Sequence, residues 1–420
     1  MTTPPVVVVG GGPGGVLLTY LLARGGVAVT LLEARGDFAR RYRGDTLAPA
    51  VLEYLARLGL ADDLLAAVPH TRSDAFRWHT AERTYTLVDY RGASRAYPFY
   101  ALLPQARFLP WLADRARRYG ARVEMGARFR ALRHDDDGRV CGVEYTVEAQ
   151  PRSLDAALVV GSDGRSSKVR AAAGIAATEL GASLDLLWFS LDRRPDDPTY
   201  SGLDLFARAG RTLALLDQGA QWQLGWSIAA GSFEEIREQG VDGLVDDVAA
   251  LLPWLAPRVR EALTAPSQLT LLPVRITTVD SWTRPGLLLL GDAAHVVSPV
   301  GGNGINLALA DAAEAANLLV DPWRAGAAPA ELDAAAAALE QRRRPGVERE
   351  QRRQAALERS AAARRATGEA RPPAFLRFVA AVPGLPRLFG RRGGVAVPDP
   401  VPTIRTPHPA RAGGASGGRC

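Results

Sequence analysis

The sequence predicts an α/β unit on a parallel sheet, interrupted by an inserted α+β block built on an antiparallel sheet and completed by C-terminal helices. Three observations predict it. Residues 6–9, 27–32, 158–161 and 287–290 are apolar runs, the pattern of strands buried on both faces. Helical spacing follows the first run, with apolar residues at 17, 18, 21 and 22. Over 71–103 and again over 182–276 the pattern changes to short alternating segments rich in aromatic residues, as antiparallel strands require.

The first strand runs directly into Gly10-Gly11-Gly12-Pro13-Gly14-Gly15, and Gly10, Gly12 and Gly15 fit G-x-G-x-x-G. Gly10 permits a tight turn, Gly12 lets backbone approach a pyrophosphate, and Gly15 lets the helix pack closely on the strand. The helix then aims free N–H groups and partial positive charge at the phosphates. Glu33 closes the second strand, where an acid can hold an adenosine ribose. Strand, helix and acid together predict a Rossmann-like dinucleotide site. They do not choose between NAD and FAD.

At 420 residues the chain exceeds one simple core, so two or three packed units are expected. The formal net charge is +6, carried almost wholly by arginine, with Lys168 the only lysine. No basic run is interleaved with aromatics, so no nucleic-acid partner is expected; the positive balance favours an anionic cofactor or substrate. Cys141 and Cys420 cannot build a disulfide framework, which suits a reducing cytoplasm. The N-terminus has no basic n-region and no apolar run reaches about 18 residues, so neither signal peptide nor spanning helix is expected. Asp135-Asp136-Asp137-Gly138 reads as a solvated hairpin tip, and no metal site is expected.

Further along, Arg43 precedes Gly44 and the amphipathic helix 50–58, where an arginine can meet phosphate. Gln105 opens a helix reaching residue 119. The strand at 158–161 delivers Asp163 and Gly164 into a loop before a short helix at 168–173. Strands are expected at 184–191, 203–206, 212–217, 221–230 and 268–276, with a helical region at 233–263. Trp188, Phe206, Trp222 and Trp226 are candidates for an aromatic-lined pocket, with packing in the core as the plainer reading. The last strand ends in Gly291-Asp292-Ala293-Ala294-His295, and Pro299, Gly301, Gly302, Asn303, Gly304 and Ile305 lead into a long helix. Asp292 is placed to accept from sugar-like hydroxyls, the helix start faces developing negative charge, and His295 reads as a brace for the loop. Beyond 325 the chain is Ala/Arg/Glu-rich helix, expected to break at Pro345-Gly346. A basic, apolar stretch at 375–389 packs on the body or touches a membrane surface.

The three sites at 10–15, 161–164 and 291–304 recur in the order and spacing of one family. The chain resembles the FAD-dependent aromatic hydroxylases of the para-hydroxybenzoate hydroxylase type, the group A flavoprotein monooxygenases, over about residues 5–345. That resemblance implies an ADP site at Gly10, Gly12, Gly14, Gly15 and Glu33, with Arg43 reaching the cofactor and Gln105 meeting the ribityl chain. It implies that Asp163 and Gly164 serve FAD and the pyridine nucleotide, and that Gly291 and Asp292 bind the ribityl hydroxyls. It places Pro299, Gly301 and Gly302 in a catalytic loop at the flavin edge, with Gly302, Asn303, Gly304 and Ile305 beside the ring. Asn303 stands where many relatives carry glutamine. The implied reaction uses NADH or NADPH and O2 to hydroxylate an aromatic or polyketide-like small molecule through a C4a-hydroperoxyflavin.

The expected division is a discontinuous FAD-binding unit at 1–71, 102–180 and 277–345, and a substrate-binding unit at 72–101 and 181–276. A helical region at 346–397 and a disordered tail at 398–420 complete it. The substrate-activating base stays open among Tyr97, Tyr100, Tyr200 and His79; Tyr97, Tyr100, Trp188, Trp222 and Trp226 are the candidate substrate contacts. Competing readings are a membrane-associated quinone-precursor hydroxylase, a flavin-dependent reductase or halogenase, and a non-catalytic flavin-binding protein.

Overall fold

The computed structural model describes residues 4–39, 46–181, 184–299 and 302–392. Val6–Val9 forms the centre of a six-stranded sheet because four β-branched residues suit a strand with no solvent face, and all four are buried. It pairs in parallel with Val29–Glu33 on one side and Leu158–Gly161 on the other. Arg122–Met125 extends the first side; Leu287–Leu289 and then the antiparallel Thr283–Arg284 extend the second. The chain thus leaves Val6–Val9 in one direction and returns on its other flank. That reversal opens a crevice at the carboxyl ends of the central strands.

The helix Pro13–Arg24 covers one face of this sheet, buried from Gly14 to Ala23, and it lies against the helix Asn303–Arg324. Small residues allow that approach: a Cβ on Gly14 would sit 2.6 Å from Leu290 Cδ2 and 3.0 Å from the Ala308 carbonyl oxygen. A second, seven-stranded sheet is assembled from two distant stretches. Its order is Thr270–Pro273, Leu184–Asp192, Gln221–Ala229, Arg211–Asp217, Leu203–Arg208, Ala75–His79 and Thr84–Asp89. All its pairs are antiparallel except Leu203–Arg208 with Ala75–His79.

The alternation along these strands sorts side chains onto two faces. Leu187, Phe189, Phe206, Leu213, Leu215, Trp222 and Trp226 pack under the helices Asp242–Leu251 and Ala256–Ala262. Leu186 and Trp188 turn the other way, with Leu216, Leu272 and Ala361. The remaining sheets are small: Thr46–Leu47, Tyr100–Leu102 and Thr71–Ser73 form one, the hairpins of Arg128–His134, Val140–Val147 and Gln150–Asp155 another, and Ala177–Gly181 with Ile276–Val279 a third.

Three expectations change. The strand expected at 268–276 is two strands in different sheets, with Val274 and Arg275 between them. The helical region at 233–263 is three helices; the first ends at Gly240, whose φ of +86° is left-handed. Pro345 does not break the C-terminal helix, which runs unbroken from Pro329 to Thr367. Proline removes one backbone hydrogen bond, but side chains on both sides of it are anchored. Arg342 donates to Glu314 at 2.7 Å, Arg343 to Asp311 at 2.8 Å, and Gln351 to the Thr277 carbonyl at 2.8 Å. Beyond it, Ala374–Ala381 and Leu385–Arg392 fold back on the strand Thr84–Asp89, where Arg387 pairs with Asp89 at 3.2 Å. Phe375 and Phe378 remain exposed there. No helix among the described residues is long and apolar enough to cross a membrane. The expected tail at 398–420 lies outside the described residues.

Candidate active site at the carboxyl ends of the parallel strands

Because Val6–Val9, Leu158–Gly161 and Leu287–Leu289 are parallel members of one sheet, their following loops emerge on the same edge. That topology brings together Gly10–Gly15, Asp163–Gly164 and Gly291–Asp292, three motifs far apart in sequence. The first two touch. Gly10 has a φ of +109°, and a Cβ there would lie 2.5 Å from the Ser162 carbonyl oxygen, so only glycine fits. Ser162 Oγ donates to the Gly10 carbonyl at 2.7 Å, locking one loop to the other.

The helix Pro13–Arg24 starts at Gly12 with no side-chain cap and no acid in its first turn. Its orphan N–H groups and positive end are thus left for an anion. Glu33 is buried beneath this loop; its Oε2 accepts from Gly11 N at 2.7 Å and its Oε1 from Arg35 N at 2.9 Å. The acid therefore shapes the loop directly.

The two acids of the other motifs differ. Asp163 spends its carboxylate on the following helix: it accepts from Ser167 Oγ, from Lys168 N at 2.7 Å and from Val169 N at 3.2 Å. Ser167 in turn caps Arg170 N at 2.9 Å. Asp292 is 32% exposed and accepts from Arg165 Nε at 3.3 Å. Arg170 adds a second tie between the motifs, donating to the Ala293 carbonyl at 2.9 Å and the Arg165 carbonyl at 3.0 Å. Both arginines escape a reading of sequence, although Arg165 and Arg170 flank the Asp163–Gly164 loop in plain view.

The third loop is braced from behind. His295 Nε2 lies 2.7 Å from Asp311 Oδ2, Arg343 Nε donates to Asp311 Oδ1 at 2.8 Å, and Gly291 N reaches Asp311 at 3.3 Å. Burial works against a charged Asp311, but His295 and Arg343 outweigh it and hold the carboxyl at about 2. Trp282 covers the imidazole with ring centres 4.8 Å apart. His295 thus braces the loop, and its partners Asp311 and Arg343 are invisible without the fold.

Gly302 begins the helix Asn303–Arg324 in the left-handed region, φ +67°, again with no side-chain cap. A Cβ on Gly302 would lie 2.6 Å from Thr46 Oγ1. Asn306, buried and also missed from sequence, clamps the same place. Its Oδ1 accepts from Ala48 N at 2.9 Å, and its Nδ2 donates to the carbonyls of Gly302 at 3.0 Å and Thr46 at 3.2 Å. Pro299 accepts from Gly302 N at 3.0 Å, Asn303 donates to Glu350 at 2.8 Å, and Gly304 and Ile305 follow in the first turn. Gln105 is buried at the start of the helix Gln105–Arg118. Arg43 and Gly301 lie outside the described residues.

On the substrate side the structure separates the candidates. Trp222 and Trp226 point to the helix-covered face, and Trp222 donates to Asp197 at 2.8 Å, so both belong to the core. Tyr200 joins them through Trp254 at 3.0 Å. His79 pairs with buried Asp204 at 2.7 Å and stacks on Phe206 with centres 4.5 Å apart, on that same face. Tyr97 donates to Asp62 at 2.9 Å, beside the helix Ala61–Ala67. Sheet alternation, which needs the register, decides this for Trp222, Trp226 and His79. Trp188 lies on the opposite face, buried, with its indole N–H unpartnered among the described residues. Tyr100 lies in the strand next to Thr46–Leu47, close to the loop before Asn303.

The residues fit a dinucleotide with a flavin end: a loop only glycine can occupy, two helix starts without side-chain caps, and a partly exposed acid between them. The sequence matches the family described as FAD binding domain over residues 3–351. It is 34% identical over 348 residues to 6-methylpretetramide 4-monooxygenase of Streptomyces rimosus, covering 82% of this chain and 81% of that one. It is 29% identical to phenazine 1,6-dicarboxylic acid hydroxylase PhzS of Lysobacter antibioticus, over 76% of this chain and 83% of the relative. The crystal structure of p-nitrophenol 4-monooxygenase PnpA from Pseudomonas putida DLL-E4 shares the fold, with a TM-score of 0.73 at 22% identity over 94% and 99% of the two chains. The chain belongs to the FAD binding domain family and is a flavoprotein monooxygenase, an oxidoreductase that takes FAD as cofactor and NAD(P)H as reductant.

Proposed function

We propose that the chain hydroxylates a phenolic, polyketide-like aromatic. Substrate-H, O2, NAD(P)H and a proton give substrate-OH, water and NAD(P)+. FAD supplies the oxygen-activating chemistry when bound, and the protein supplies position, electrostatics and a dry site. The convergence of three separated motifs on the ends of adjacent parallel strands carries this reading. The relative named for 6-methylpretetramide supports the substrate class.

In this reading Gly10, Gly12, Gly14, Gly15 and Glu33 cradle the ADP half, and Arg43 and Gln105 reach the cofactor. Gly291 and Asp292 take the ribityl hydroxyls, while Arg165 holds Asp292 toward them. Asp163 acts through the loop it caps, and Gly164 gives that loop its turn, φ +88°. The N-terminus of Asn303–Arg324, which has no side-chain cap, would steady negative charge developing on the bound cofactor. Pro299, Gly301 and Gly302 form the flavin-edge wall. Residues 1–71, 102–180 and 277–345 serve the cofactor. Residues 72–101 and 181–276 present the sheet face of Trp188, Leu216 and Leu272 to the substrate, and the long C-terminal helix covers it.

Mass spectrometry of the product formed from a panel of phenols and aromatic polyketides under labelled dioxygen tests this. One labelled oxygen atom in the product is expected. A product without label, formed while NAD(P)H is consumed, would overturn the reading.

A further inference from the structure

The two short C-terminal helices, Ala374–Ala381 and Leu385–Arg392, take no part in the reading above. Their inward sides are fully used. Leu376 and Ala380 pack with Trp78, Tyr85 and Leu87 of the strands Ala75–His79 and Thr84–Asp89, and Val379 is buried. The Trp78 indole donates to the Ala370 carbonyl at 3.0 Å, just ahead of the first helix. The second helix lies against the end of the edge strand. Arg387 Nε donates to Asp89 at 3.2 Å and Arg391 Nε to the Gly92 carbonyl at 2.9 Å, and between them a Cβ on Gly390 would overlap the Asp89 carbonyl oxygen. Covering a sheet edge in this way needs one apolar side of each helix. The opposite sides are apolar as well.

Among the described residues four large apolar side chains are exposed, and three of them are here: Phe375 and Phe378, each 61%, and Leu388, 38%. Phe375 meets Phe389 with ring centres 5.7 Å apart, which joins the two helices into one patch. Single exposed apolar residues need no explanation, but a cluster of them marks a partner. The charge says which. From residue 370 to 392 the chain carries five arginines, at 371, 377, 387, 391 and 392, and no acid. Arg371, Arg387 and Arg391 are exposed, and the side chains of Arg371 and Arg377 have no partner among the described residues.

We propose that Ala374–Ala381 and Leu385–Arg392 seat the protein on an anionic lipid bilayer. Phe375, Phe378 and Leu388 enter the boundary between headgroups and acyl chains, and the arginines around them meet lipid phosphates. The contact lies in the plane of the surface, since no helix among the described residues is long and apolar enough to cross. A second copy of the chain fits this face badly: a two-fold contact sets the patch against itself and brings the same arginines together. Because both helices pack on Thr84–Asp89, the seven-stranded sheet is the part of the molecule held toward the bilayer. The proposal does not depend on the monooxygenase reading.

The test is co-sedimentation of the full FAD-loaded chain with vesicles, either phosphatidylcholine alone or phosphatidylcholine mixed with phosphatidylglycerol. Binding to the mixed vesicles is expected, weakening as salt rises, with little binding to phosphatidylcholine alone. Phe375→Ser with Phe378→Ser should weaken binding about tenfold or more, and Phe378→Ser alone, which leaves the Phe375–Phe389 contact in place, about threefold or more. Phe375→Leu with Phe378→Leu should keep most of the affinity. Arg371→Gln with Arg377→Gln should weaken it about fivefold or more. FAD content and melting temperature should match wild type in every variant. No binding of wild type to the mixed vesicles would overturn the proposal, as would wild-type binding by both serine variants, which would reduce the contact to adsorption by net charge. A wild-type dimer in light scattering that the serine variants dissolve, without vesicle binding, would overturn it in favour of a second copy.

Discussion

The two helix starts that frame the cofactor site are built from the same parts and supported in opposite ways. Pro13–Arg24 begins at Gly12, and Asn303–Arg324 begins at Gly302; neither has a side-chain cap. The first rests on two ties at its glycines: Gly10 wedged against Ser162 of the adjacent loop, and Gly11 N held by Glu33 at the end of the next strand. The second is supported from across the chain. Gln354 accepts from Ser298 N at 2.6 Å, Gln351 donates to the Val296 carbonyl at 3.1 Å, Asn306 clamps residues 46–48, and Asp311 with Arg343 holds His295. An anion site for a diphosphate can be made of backbone alone. The loop at a reactive ring edge is held here by side chains from several elements, which fixes its position more finely.

Perturbing each support sharpens this contrast. Gly10→Ala should have the largest effect, since it forces a left-handed φ on alanine and drives Cβ into the Ser162 carbonyl. The purified variant is expected to be colourless, with the flavin bands absent even after incubation with excess FAD. Asp311→Asn comes next. Removing the charge leaves the guanidinium of Arg343 without its carboxylate, a cost of about 3 kcal/mol in denaturant unfolding at neutral pH. Its pH signature is specific. Asp311 has a folded pKa depressed from 3.8 to about 2. Its contribution is therefore present above pH ~4 and lost as pH falls toward ~2, amounting to about 2 kcal/mol. The variant should lack that segment of the acid limb.

Asn306→Ala removes three hydrogen bonds, two of them to residues 46–48, and is expected to cost about 2–3 kcal/mol, read by thermal melts. The loss should be larger in the FAD-loaded protein than in the apoprotein. Gln354→Ala should be the mildest, about 1–2 kcal/mol from loss of the hydrogen bond to the buried Ser298 N–H. It should leave FAD affinity near wild type and increase the exchange of that amide in hydrogen-exchange measurements.

The same contrast explains what was legible. Val6–Val9, Gly10–Gly15 and Glu33 fall within the single stretch 6–33, so period, turn chemistry and the terminal acid could be read together. Asp292 was legible because it ends an apolar strand before a glycine-rich loop. Asn306, Asp311 and Arg343 were not, because their meaning lies in partners from 16 to 260 residues away. The tryptophans show the limit from the other side. Trp188, Trp222 and Trp226 look alike in sequence, yet register turns Trp188 to one face and the other two beneath the helices. Pro345 fails as a stop signal because the helix is tied to other elements on both sides of it, by Arg342 to Glu314 and Arg343 to Asp311 before it and by Gln351 to the Thr277 carbonyl after it.

The most direct measurement is the flavin content of purified wild type beside Asp292→Ala. A single FAD per wild-type chain is expected, with a largely colourless Asp292→Ala protein that melts near wild-type apoprotein. Full FAD occupancy in the variant, or a wild-type chain that binds no flavin in excess FAD, would contradict it.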